Sequence, residues 1–181
     1  MDKKIKLGII GLSEGNGHPY SWSAIFNGYN KEFMKDCPFP VIPDYLSKQK
    51  FPEDCIENAT ITHIWTQNHV ISDHVSKASN IPVISRSIEQ MVNEVDAVIL
   101  ARDDAENHLE MSIPILEAGL PLFIDKPLAY NVKTAEQIFN KQKYDGQIFS
   151  CSALKYAREF YPDYLDLNEI GNILTFFATT P

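Results

Sequence analysis

The sequence predicts an α/β fold built on a doubly wound parallel sheet. Three observations carry this reading. Apolar, β-branched runs alternate with segments of helical spacing along most of the chain, the pattern of repeated βα units. Residues 95–101 form a nearly continuous apolar run, as a strand covered on both faces requires. The apolar run 120–124 ends abruptly in Asp125-Lys126-Pro127. A strand interior rejects such groups, whereas the carboxyl end of a strand presents them to a ligand crevice.

The elements follow in order. Residues 5–12 read as a first buried strand. Trp22, Ile25, Phe26 and Tyr29 recur at helical spacing over 19–29. Residues 31–58 carry Pro38, Pro40, Pro43 and Pro52, which break any long helix; the segment reads as an inserted loop with at most a short helix near Tyr45. Residues 59–66 alternate and are β-branched, a second strand, and 69–79 a helix. Residues 82–84 are a short third strand and 87–93 a short helix. The fourth strand, 95–101, leads into a helix over 106–118 that Gly119 closes. The fifth strand, 120–124, is followed by a helix over 132–141 and a strand from 147 to 152. A further strand is expected over 172–179. With few residues after the fifth crossover helix, it reads as the first strand of a second sheet whose partners lie beyond Pro181.

Composition narrows the class. At 181 residues the chain can core one domain and part of another. Its 44% apolar and 22% charged residues are those of a soluble globular protein. A net charge of −8 argues against nucleic acid as the main partner. No apolar run reaches the length of a membrane span, and Met1-Asp2-Lys3-Lys4 has no signal-peptide pattern. Cys37, Cys55 and Cys151 are odd in number and lack CxxC spacing. Thiols in a reducing cytoplasm are expected, with neither a disulfide frame nor a metal site.

Candidate ligand-binding residues lie at the strand exits. Gly8-Ile9-Ile10-Gly11-Leu12-Ser13-Glu14-Gly15-Asn16-Gly17-His18 sits between the first strand and first helix. There, glycines let the backbone approach a pyrophosphate and helix-terminal amides donate to it. Counted from Gly11, the second glycine position of G-x-G-x-x-G holds Ser13 and the third holds Asn16. Phosphate binding through Gly11, Leu12, Ser13, Asn16 and Gly17 and a plain glycine-rich turn both remain open. The second strand ends in Thr66-Gln67-Asn68, without the carboxylate that holds an adenosine ribose diol. Thr66, Gln67 and Asn68 can bond a ribose hydroxyl without charge, or the adenosine half is held loosely or not at all. After Ala101 and Arg102, Asp103 or Asp104 is expected to cap the next helix, and His108 reads first as a structural histidine. Lys126 reads either as a lysine at an active-site mouth or as half of a surface pair with Asp125.

Together these residues resemble the N-terminal part of the Gfo/Idh/MocA family of NAD(P)-dependent sugar oxidoreductases. The matching pieces are Gly8-Ile9-Ile10-Gly11, residues 95–101, His108, Leu116-Glu117-Ala118-Gly119 and Phe123-Ile124-Asp125-Lys126-Pro127-Leu128-Ala129. The family writes the last with Glu or Asp before Lys-Pro. Here the glycine loop is altered, 31–58 is inserted, the acid after the second strand is missing, and Arg102-Asp103 replaces Thr-Pro. These departures bear on cofactor affinity and on the choice between NAD and NADP.

The resemblance implies a Rossmann domain over residues 1–150 that binds NAD or NADP. The contacts would come from the first turn, Thr66, Gln67, Ala101, Arg102, His108, Asp125 and Lys126. It implies a catalytic role for Lys126, which matches the lysine that touches nicotinamide ribose and substrate hydroxyl. Residues 151–181 would begin an incomplete α+β domain that binds substrate and often forms the homo-oligomer interface. The partner Asp and His of proton transfer would lie beyond Pro181, leaving the 181-residue chain inactive alone. The implied activity is NAD(P)-dependent oxidation or reduction of a sugar or sugar nucleotide. A non-catalytic dinucleotide-binding module, or a redox-neutral hydrolase or epimerase with the same cofactor, are the alternatives.

Overall fold

The computed structural model describes residues 3–158, 174, 175 and 177. The chain divides into two compact units, Met1–Ser150 and Cys151–Pro181.

In the first unit six strands form one parallel sheet: β1 (Ile5–Gly11), β2 (Ala59–Thr66), β3 (Val83–Ile84), β4 (Ala97–Leu100), β5 (Leu122–Ile124) and β6 (Ile148–Phe149). Their order is 3-2-1-4-5-6, with every neighbouring pair parallel. Strand order reverses at β1, which pairs with β2 on one side and β4 on the other. That reversal is where an open α/β sheet leaves a crevice at its carboxyl edge.

The helices are α1 (His18–Asn27), α2 (Lys31–Met34), α3 (Val41–Leu46), α4 (His69–Ala78), α5 (Ile88–Met91), α6 (His108–Glu117) and α7 (Val132–Phe139). Successive side chains of a strand point to opposite faces, so adjacent residues of β1 feed two cores. Ile9 packs with Ile61 and Ile64 against Tyr20, Ala24 and Val75 of α1 and α4. Ile10 packs with Val98, Leu100 and Ile124 against Met91, Ile115 and Ile138 of α5, α6 and α7. The helix starts are fixed locally: the side chains of Asn68, Ser87 and Asn131 accept from Val70, Gln90 and Thr134 amides, each a standard N-cap. Helix α6 closes as expected, with Gly119 N–H on Leu116 O and Leu120 N–H on Ile115 O, the Schellman pairing.

Three expectations change. In residues 31–58 the short helix expected near Tyr45 forms as α3, but a second helix, α2, forms as well, and together they bury Met34, Ile42 and Leu46 in the first core. Pro40 and Pro43 fall at the N-cap and first turn of α3, where a missing N–H costs nothing. Neither Asp103 nor Asp104 caps a helix with its side chain: α6 begins at His108 after a 3-10 turn over Ala105–Asn107, and both carboxylates are engaged elsewhere. β6 is confined to Ile148–Phe149. The strand expected over 172–179 lies outside the described residues, apart from Leu174, Thr175 and Phe177, which are exposed and irregular. In the second unit a 3-10 turn over Ala153–Tyr156 is capped by Ser152, whose side chain accepts from Leu154 N–H.

Candidate functional site

β1, β4 and β5 are parallel neighbours, so the loops after Gly11, Leu100 and Ile124 converge on one edge of the sheet. A broad concavity of about 1200 Å³, lined by Lys4, Ile5, Asn27 and Asn58 among others, lies instead at the opposite edge, around the starts of β1 and β2. It gathers none of the strand-exit residues.

The first turn is built by close packing. A Cβ on Gly11 would stand 2.3 Å from Cγ of Pro19, and one on Gly17 would stand 2.5 Å from Cδ1 of Ile42 and 2.7 Å from Phe39. Both glycines are therefore required by protein packing, Gly17 by the inserted segment itself. The amides of Ser13, Glu14 and Gly15 have no partner among the described residues, and Glu14 and Gly15 are exposed. Such amides before a helix fit a pyrophosphate. Ser13 faces inward: its hydroxyl donates to Asp103 Oδ1 at 2.6 Å and accepts from Asp103 N–H.

At the β2 end the polar groups are tied to one another. Thr66 is buried, its hydroxyl on Asn68 O and beside Ser72 Oγ. Gln67 turns its amide onto the first turn, donating to Leu12 O at 2.6 Å and accepting from Leu12 N–H at 3.2 Å. Arg102 is 5% exposed, and its guanidinium donates to Asp104, Gln67 Oε1 and Gly11 O. Burial pushes the Asp104 carboxyl up, but hydrogen bonds from Arg102 and Asn107 hold it below its ordinary value. Ala101 is fully buried, its N–H on Ile10 O. His108 is also fully buried, between Leu128 O and Arg102 O. Both of its ring nitrogens face backbone carbonyls.

At the β5 end the arrangement differs. Asp125 is 2% exposed and does not pair with the Lys126 amine. Its Oδ1 accepts Lys126 N–H at 2.8 Å, and its Oδ2 accepts Asn16 Nδ2 at 3.0 Å and His18 Nδ1 at 2.6 Å. Asn16 Oδ1 in turn takes His18 N–H. Burial raises the Asp125 carboxyl, and these donors, His18 first, bring it below its ordinary value. The carboxylate thus ties the first turn to β5. Lys126 is exposed, and its amine meets no acceptor among the described residues. The His18 ring stacks on Trp22, with centroids 4.2 Å apart at 11°, and Trp22 meets Phe123 of β5 edge-on. The sequence reading named Asp125 and Asn16 as cofactor contacts and did not single out His18, which shares the Asp125 carboxylate with Asn16. Its partner lies 107 residues away, and the only local signal was a histidine closing a glycine-rich turn.

Residues 5–152 match the profile of an oxidoreductase family with an NAD-binding Rossmann fold. The chain is similar to the solved myo-inositol 2-dehydrogenase from Lactobacillus plantarum, with TM-score 0.62 and 15% identity over 94% of this chain and 43% of that one. It is similar to scyllo-inositol dehydrogenase from Lactobacillus casei, a structure with bound NAD(H) and scyllo-inositol, with TM-score 0.61 and 17% identity over the same shares. A third is UDP-N-acetylglucosamine 3-dehydrogenase from Acidithiobacillus ferrooxidans, with TM-score 0.51 and 14% identity over 77% of this chain and 35% of that one. At these identities the likeness is one of fold. The chain spans less than half the length of each. No curated protein matches it.

Proposed function

The chain belongs to the Gfo/Idh/MocA oxidoreductase family through its NAD-binding Rossmann domain, and we propose that it binds NAD or NADP at the carboxyl edge of the sheet and serves oxidation or reduction of a sugar or sugar-nucleotide substrate. The unpartnered amides of Ser13, Glu14 and Gly15 would hold the pyrophosphate. When bound, the nicotinamide supplies a carbon that takes up or releases a hydride. Lys126 would orient the reacting hydroxyl and lower the cost of removing its proton, a service typically worth about two to four orders of magnitude in rate.

One observation carries the reading. Beside a carboxylate fully engaged in holding the first turn, the Lys126 ammonium stands exposed at the crevice mouth. A lysine kept only for a surface ion pair would lie on Asp125. The β2 end lacks a charged ribose acceptor, and one charge-assisted hydrogen bond is worth roughly 1.5–3 kcal/mol, so affinity should be modest. Titration of the chain with NADH and NADPH, read by nicotinamide fluorescence, tests this. Micromolar or weaker binding is expected. Sub-micromolar binding would contradict the inference from the β2 end, and no binding at all would overturn the proposal.

A further inference from the structure

The imidazole of His18 has a use that dinucleotide binding by the first turn leaves open. Asp125 is held ionised by its donors, and a carboxylate only accepts hydrogen bonds, so Nδ1 of His18 carries the hydrogen at this 2.6 Å contact. The ring's other nitrogen, Nε2, lies on the far side of Cε1 from that buried carboxylate. It has no partner among the described residues, and the side chain is 32% exposed. Trp22 fixes the plane of the ring from one face. In its neutral form an imidazole so tethered offers Nε2 as an acceptor in a set direction. Lys126, next in chain to the same Asp125, offers only donors. An acceptor on a side chain bonded to Asp125 and a donor on the residue that follows it are together the complement of a hydroxyl group, which gives one hydrogen bond and takes another.

The ends of the crevice also assign the place. In a sheet of this order the adenosine half lies toward the β2 end, so the β4–β5 exits line the other half. We propose that His18 is a hydroxyl-binding residue of that half: Nε2 accepts from a sugar hydroxyl to which Lys126 donates. The proposal rests on the dinucleotide reading above. Two sources present this chemistry, the second ribose of the dinucleotide and a polyol substrate.

Carbethoxylation of the chain by diethyl pyrocarbonate, read by peptide mass, tests it. The reagent labels accessible, unprotonated imidazole nitrogens. His69, exposed at the start of α4, is the internal reference. NADH, ADP-ribose, or NADH with myo-inositol is present in separate samples, and nicotinamide fluorescence reports binding in parallel. At ten times the dissociation constant, mass action should slow His18 labelling about tenfold while His69 is unaffected. Protection by both NADH and ADP-ribose supports the proposal with the ribose as source. Protection only when myo-inositol is added supports it with the polyol as source. Protection by NADH but not ADP-ribose would reassign the contact to the carboxamide and overturn the hydroxyl assignment. No protection while NADH is bound would overturn it outright. No NADH binding would overturn the dinucleotide reading and this proposal together. His18→Phe, which keeps the stack on Trp22, should weaken the protecting ligand by about tenfold with an unchanged far-UV spectrum; unchanged affinity would also count against the proposal.

Discussion

The two ends of the crevice treat their polar groups in opposite ways. At the β2 end Thr66 is bonded to Asn68 O and Ser72, and Gln67 is bonded to the first turn and to Arg102, which reaches across from the β4 exit with Asp104 as its partner. At the β5 end one buried carboxylate does all the holding, and Lys126 and the far nitrogen of His18 are left outward. The difference teaches where a ligand gains affinity and where it is worked upon. A polar group already bonded inside the protein adds little to a ligand, because the exchange replaces one hydrogen bond by another. A group preorganised but unpartnered contributes its full interaction, and such groups are what reaction centres are built from.

The largest expected effect breaks the comparison at the β5 end. On the proposed reading, Lys126→Ala should lower turnover of a sugar substrate by at least about a hundredfold, the low end for loss of a proton-transfer group. Dinucleotide affinity should stay within a few-fold if the hydroxyl that Lys126 meets belongs to the polyol, and should fall at least about tenfold if it belongs to the second ribose. Steady-state kinetics with a parallel NADH titration separate the two. A near-wild-type kcat would make Lys126 a surface residue and the two ends equivalent.

Next comes the carboxylate itself. Asp125→Ala leaves the Asn16 amide and the His18 ring without their acceptor and should cost roughly 1.5–3 kcal/mol in urea denaturation. Asp125→Asn keeps the shape and removes the charge, and there pH sharpens the test. The folded carboxyl lies below its ordinary value, about 3.9 in unfolded chains. A depressed carboxyl stabilises the fold above the unfolded value, and that stabilisation is lost as pH falls through the folded one. The stability gap between wild type and Asp125→Asn should therefore be full at neutral pH and shrink below about pH 4. A gap that is the same at both would show that the charge takes no part.

The same contrast explains what the sequence could and could not show. The sheet was legible because its strands are apolar runs or, at residues 59–66, an alternating β-branched one, and residues 120–124 announce their exit by ending in Asp125-Lys126. Helix α2 was not legible: four residues, Lys31–Met34, are too few to display a period, and its one fully buried side chain, Met34, reads as loop when counted alone. The prolines of 31–58 suggested a loop because their position within a turn, not their number, decides whether a helix tolerates them. At the site, residue types at strand exits located the crevice. Direction did not follow from type. Thr66 and Gln67 have the right chemistry for a ribose, yet Thr66 is buried and Gln67, though exposed, is bonded to Leu12, and His18 faces a carboxylate that only the folded sheet brings near.

The smallest effect is expected at Gln67, and it tests the β2 end. Its amide bonds both the N–H and the C=O of Leu12. These contacts are solvent-exposed, so water replaces them when the side chain is removed, and Gln67→Ala should cost at most about 1 kcal/mol of stability. Arg102 loses one acceptor and keeps Asp104 and Gly11 O, so no buried charge is left alone. If Gln67 is committed to Leu12, a dinucleotide never gains its amide, and NADH affinity should change less than about threefold, which is under about 0.7 kcal/mol. If instead the amide swings out to a ribose hydroxyl on binding, the variant loses one neutral hydrogen bond, worth up to about 1.5 kcal/mol, and affinity falls by about tenfold. Calorimetric titration of wild type and Gln67→Ala resolves a threefold from a tenfold change. The larger loss would mean that the β2 end opens to its ligand, and that the two ends differ in order of engagement rather than in kind.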